Sequence, residues 1–134
     1  MANALYVKGK EKILSGAINF VTDTLKVALV ENDYAQNLAT DEFYTSIAAH
    51  VLDTPEALTG KTVTGGVFDA ADSTFAAVAA GPTSEGVVIY KDTGVEATSP
   101  LIAYIDTITG FPLVMNGGDV TIQWDNGAYK IFSL

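Results

Sequence analysis

From Leu58 onward, turn-forming residues cut the chain into short runs rich in β-branched and aromatic side chains. Residues 61–64, 73–78, 85–91, 100–106 and 113–115 read as strands, separated by Gly65-Gly66, Gly81-Pro82, Asp92-Thr93-Gly94 and Thr109-Gly110. Parallel pairing needs a crossover, usually a helix, between successive strands, and no helical pattern lies in these gaps. The expected fold class is therefore mainly β: an antiparallel β-sandwich or jelly-roll-like barrel, with a short N-terminal helix. The alanine-rich stretch 74–80 fits either a close-packed strand or a loop edge, and no internal repeat is present.

Residues 116–134 read as one β-hairpin. Val120, Ile122 and Trp124 alternate with Thr121 and Gln123, the period of a half-buried strand. Asp125-Asn126-Gly127 follows, and Asn-Gly is a strong hairpin signal because both residues tolerate positive φ. Alternation resumes through Tyr129, Ile131 and Ser133 against Lys130, Phe132 and Leu134. Trp124, the only tryptophan, is expected on the inward face. The ending Phe132-Ser133-Leu134 leads us to expect a last strand paired inside a sheet.

Upstream, residues 4–14 read as a short helix with Leu5, Tyr6, Ile13 and Leu14 as its apolar positions, ended by Ser15-Gly16. Gly9 weakens it by about 1 kcal/mol relative to alanine. Residues 24–31 form the clearest strand, with Leu25, Val27 and Leu29 on one face and Lys26, Ala28 and Val30 on the other. A loop covers 32–40. Thr40 is placed to cap a helical turn, with Asp41 and Glu42 near its N-terminus. Residues 46–52 fit helix or strand, and Thr54-Pro55 ends either. With 134 residues, we expect one β domain over 17–134 preceded by an N-terminal helix or arm over 1–16. A chain of this size buries roughly 65–70% of its unfolded surface, enough for one core.

The formal net charge is −9, with no arginine and no cysteine. Residues 1–12 hold Lys8, Lys10 and Lys12 against Glu11, a net of +2. Elsewhere four lysines face fifteen carboxylates, a net of −11. Such a body repels nucleic acid, whose binding rests on Lys and Arg neutralising phosphates, and favours basic partner surfaces. Without cysteine there is no disulfide framework and no thiolate metal site. No segment approaches the roughly 18 apolar residues of a membrane helix. Lysines interrupt the window where a signal peptide needs its apolar run, so synthesis in the cytoplasm without export is expected.

Signals for chemistry are weak. His50 is the single histidine, and a general base needs an oriented partner and a nucleophile. No nucleophile-elbow, zinc-protease or phosphate-loop motif occurs. The pairs Asp69/Asp72 and Asp119/Asp125 invite a glycosidase or calcium reading, but a chain with sixteen carboxylates holds such pairs by chance, and neither matches a calcium-loop pattern. Tyr34, Tyr44, Tyr90, Tyr104 and Tyr129 lack the interleaved basic residues of a stacking groove. We expect no catalytic residue, no metal site and no cofactor.

The closing hairpin-like run, KDTG at 91–94 and SPLIAYIDT at 99–107 together resemble a family of small tailed-bacteriophage virion proteins. The opening MANALYVKGKEKIL, NLATDEF at 37–43 and LTGKTV at 58–63 are similar too, so the resemblance runs nearly end to end. It implies a structural, non-enzymatic role. The favoured expectation is a capsid decoration or cement protein on the capsid surface of the virion, assembled in the host cytoplasm. Its partner would be the major capsid protein, with no nucleic acid or membrane bound. A site at a lattice threefold would impose a homotrimer. The alternatives are a tail, neck or fibre-attachment component, or a free carbohydrate- or calcium-binding β module; a hydrolase comes last.

The N-terminal segment is the candidate assembly contact, with Lys8, Lys10 and Lys12 on its exposed face. It is too short to be a stable helix alone, so it docks either on its own domain, covering a sheet edge, or on a neighbouring subunit. The intermolecular option is favoured. On that reading a chain beginning near Ala17 stays folded and loses assembly.

Overall fold

The structure is a computed structural model, and it describes residues 3–133. Met1, Ala2 and Leu134, which the readings above place in the N-terminal segment and the last strand, lie outside the described residues. Strand outweighs helix, 34% to 13%, so the chain is mainly β, with antiparallel sheets and one short N-terminal α-helix.

In chain order the strands are β1 (Ala4–Leu5), β2 (Leu25–Glu31), β3 (Glu56–Ala57), β4 (Thr62–Thr64), β5 (Val67–Asp69), β6 (Ser73–Phe75), β7 (Thr83–Lys91), β8 (Leu101–Ile105), β9 (Leu113–Val114), β10 (Val120–Ile122) and β11 (Phe132–Ser133). The helix α1 (Val7–Leu14) follows β1. The main sheet runs β1-β8-β7-β2-β3, and β9 pairs with the start of β7. Two small sheets, β10-β6 and β11-β5-β4, supply a second layer. The layers stay open and sandwich-like; they do not close into the barrel held as an alternative.

Alternation along β2 and β7 sends side chains to both faces of the main sheet, and both faces are buried. On the first, Leu25, Val27, Leu29, Val87 and Ile89 pack with Phe68, Phe75, Ile122 and Trp124 of the second layer. On the other, Ala28, Val30, Val88 and Tyr90 join Tyr6, Tyr34, Ile47 and Tyr104. A bulge lets β8 serve both clusters: Ile89 pairs with Ala103 and Tyr90 with Leu101. Ile102 is the extra residue, so Leu101 and Tyr104 face the tyrosine side although three positions apart.

The C-terminal run is not a hairpin. Val120–Ile122 pairs with Ser73–Phe75, and Phe132–Ser133 pairs with Val67–Asp69. Asp125 folds back locally, its Oδ1 accepting the Gly127 N–H at 3.1 Å. The Asn126-Gly127 turn is not made: neither residue takes a positive φ, and the chain turns instead over Gly127–Lys130, where the Lys130 N–H donates to Gly127 O at 3.3 Å and Lys130 has φ of +48°, with flanks that diverge to different sheets. β11 lies at the edge of its sheet rather than inside it. The chain's two-residue hairpin turn is instead Gly65-Gly66, with φ of +61° and +77° between the paired Thr64 and Val67.

Two further expectations change. Thr40 caps no helix: its N–H donates to Asn37 O in a loop turn. Residues 44–50 form two single 3-10 turns, Tyr44–Ser46 and Ala48–His50, before Val51 bridges to Val30. These irregular turns cover the tyrosine face. The alanine-rich stretch is strand only through Phe75, and Ala77 then adopts φ of +46° in the following loop.

The expected boundary at residues 16/17 divides elements that share one core. β1 is an edge strand of the main sheet, and the Tyr6 N–H donates to Ile102 O at 2.9 Å. Tyr6 is fully buried on one face, while Leu5 and Ile13 pack toward the other. Gly9 is required by contact: a Cβ there would lie 2.5 Å from Leu101 O and 3.1 Å from Ile102 Cα. The residue that weakens the isolated helix is the one that lets it lie against β8.

Candidate functional site

Two surface regions collect residues with binding chemistry: the N-terminal segment and a cleft at the opposite end of β8.

On α1 the three lysines do not share a face. Successive helical residues turn by about 100°, so Lys8 and Lys12 align while Lys10 points away from both. Lys12 Nζ donates to Glu42 Oε2 at 2.8 Å and lies 5.1 Å from the centre of the Phe43 ring. Its charge is spent inside its own domain, which corrects the reading of all three lysines as one exposed face. Lys8 makes an exposed pair with Glu11 at 3.4 Å, a contact of little energetic weight. Lys10 is exposed and lines a small groove with Leu5, Ile13 and Leu14. Leu14 is 88% exposed.

The cleft is larger, about 780 Å³. The loop 106–111 forms one wall, and residues 123–126 with Asp72 form the other. Trp124, only 5% exposed, is its floor. Its indole Nε1–H donates to Ala71 O and its backbone N–H to Asp72 Oδ1, each at 3.1 Å. Those bonds fix the ring and one carboxylate together. Asn3 anchors the other wall: its Oδ1 accepts the Asp106 N–H at 2.8 Å and the Thr107 N–H at 3.0 Å.

The aspartate pairs read from sequence are regrouped. Asp72, Asp106 and Asp125 line the cleft. Asp69 sits elsewhere, in a shallow depression with Lys130, and Asp119 accepts the Ala77 N–H at 2.9 Å. Asp106 belongs to neither pair, and no local signal joins it to residues 34 positions before and 19 after it. Among the described residues no three His, Asp or Glu side chains gather to hold a metal ion. No helix among them is long and apolar enough to cross a membrane. His50, half-buried, has its Nδ1 2.8 Å from Asp33 Oδ1 and its ring 5.5 Å from that of Tyr34.

The strongly displaced ionisations belong to the core. Burial pushes Tyr6, Tyr34 and Tyr90 well above the usual phenol range, and Tyr104 up to about 12. Two aspartates are lowered at ion pairs. Asp23 is held down first by the Asn19 N–H and then by Lys91, and Asp92 first by Lys26.

In comparisons with known proteins, no family model matches the chain and no curated protein is similar to it.

Proposed function

We propose that the chain is a structural virion protein of a tailed bacteriophage, a capsid decoration or cement protein that binds the outer face of the major capsid lattice. The observation that carries this reading is the groove of Leu5, Ile13 and Leu14 beside Lys10, on an edge strand and its helix. Leu14 has almost its whole side chain in water. Burying such a leucine against a partner contributes about 1.5–3 kcal/mol, and an apolar groove beside a long cationic stem suits a protein contact. The resemblance to phage virion proteins agrees: the described part of its opening segment, 91–94 and 99–107 fall on or beside β1–α1, the end of β7 and β8, which are neighbours in the fold. The acidic remainder favours basic partner surface. At a lattice threefold the protein would act as a homotrimer. Its work is burial of surface, with no reaction catalysed.

The test is sedimentation with purified particles, with copies per particle counted. Copy numbers that follow the capsid lattice are expected, and a Lys10→Glu, Leu14→Asp variant with an unchanged melting temperature should lose binding. A protein present at one vertex only is a tail or neck component, and one that never sediments with particles is no virion protein.

A further inference from the structure

We infer that the cleft floored by Trp124 is a binding site for a neutral carbohydrate. Its volume of about 780 Å³ falls within the range of small-ligand sites, roughly 300–1,000 Å³. Its lining combines apolar surface from Ile108 and Phe111 with amides, hydroxyls and carboxylates. A sugar presents the matching pattern: hydroxyls that both donate and accept, and C–H faces that lie against apolar walls.

Each class of polar group has a role. Gln123 and Asn126 are exposed on the rim, and each amide offers a carbonyl acceptor and an NH2 donor. Asp72 Oδ1 and Asp125 Oδ1 each accept one backbone N–H, from Trp124 and Gly127. Those bonds hold the carboxylates in place and leave acceptor capacity for ligand hydroxyls, and hydrogen bonds to a charged acceptor are the stronger kind. Because backbone bonds already hold these two carboxylates, they need little ordering on binding, and the ordering cost falls on the rim amides.

The same lining selects against other ligands. Three carboxylates and no lysine line the cleft, which disfavours phosphates and acidic sugars. No three acidic groups among the described residues converge as metal ligands. Carboxylate acceptors and amides suit successive hydroxyls of one oligosaccharide better than a single ion.

This inference does not rest on the particle role and stands or falls separately. The only tryptophan is the cleft's own reporter. The full chain is titrated with neutral hexasaccharides of glucose, mannose and N-acetylglucosamine while Trp124 emission is followed. 3′-Sialyllactose, spermidine and calcium chloride are titrated in parallel. A saturable change with at least one neutral oligosaccharide is expected. A Gln123→Ala, Asn126→Ala variant, both positions exposed, should melt as the parent does and bind at least about tenfold more weakly. The inference is overturned if no neutral oligosaccharide gives a saturable change, if only calcium or spermidine does, or if the variant binds as tightly as the parent.

Discussion

The two faces of the main sheet are sealed in different ways. One face is covered by other strands: β6 and β10 bring Phe75, Val120 and Ile122 onto Val27, Leu29, Val87 and Ile89. A paired strand satisfies its backbone polar groups on its neighbour, so its inner side chains can be wholly apolar. The other face is covered by the turns of residues 32–52 and by the N-terminal segment. Irregular backbone carries polar groups that no ladder satisfies. Four tyrosines, Tyr6, Tyr34, Tyr90 and Tyr104, fill that side. Two of them form a chain: the Tyr6 and Tyr34 hydroxyls lie 2.8 Å apart, and Tyr34 donates to Asp41 Oδ2 at 2.7 Å. Asp41 also accepts the Asn37 N–H at 3.0 Å. The rings supply buried area and the hydroxyls pin a cover that has no sheet of its own.

The hardest break is a chain beginning at Ala17. It removes Tyr6 from one cluster, Leu5 and Ile13 from the edge of the other, and β1 from the sheet. We expect no cooperative melting transition, the reverse of the outcome expected from sequence; a truncated chain that melts cooperatively near the parent temperature would show that the segment is dispensable to the fold. On the strand-covered face, Trp124→Ala should cost about 3–5 kcal/mol in chemical denaturation. An unchanged midpoint would mean that the second layer contributes little.

Gly9→Ala separates helix propensity from packing. In an exposed helix the change gains about 1 kcal/mol. Here the new Cβ meets Leu101 O, so a net loss of about 1–3 kcal/mol is expected, and a stabilised variant would show that α1 can lift from β8.

The polar pins should matter less than the packing. Tyr34→Phe keeps the ring and removes the hydroxyl between Tyr6 and Asp41, for an expected loss of about 1–3 kcal/mol. The same face should respond to base. Tyr6, Tyr34, Tyr90 and Tyr104 all have folded pKa values raised by burial. The neutral phenols therefore contribute stability that is complete below the unfolded value near 10. It declines as pH rises above that value toward the raised folded values. Melting curves between about pH 8 and 11 should show the decline beginning near 10, and a flat profile would mean that these hydroxyls titrate freely.

What local pattern controls was legible in the sequence. The alternation of residues 24–31 assigns Leu25, Val27 and Leu29 to one face and Ala28 and Val30 to the other, as found, because strand periodicity is a property of the backbone itself. Gly65-Gly66 was legible as a turn because positive φ is a local demand. Burial of Trp124 followed from alternation too. Pairing was not legible. Asn126-Gly127 permits a turn, but nothing in residues 116–134 records that Val120 belongs beside Phe75 and Phe132 beside Phe68. Those choices depend on which surfaces remain unburied once the main sheet has formed. The cleft has the same origin: Asp72, Asp106 and Trp124 meet because the start of β6 lies near the ends of β8 and β10. Gly9 shows the limit most clearly. Read locally it weakens a helix, and only the backbone of β8, lying within 3.2 Å of its absent side chain, makes it the residue that the position needs.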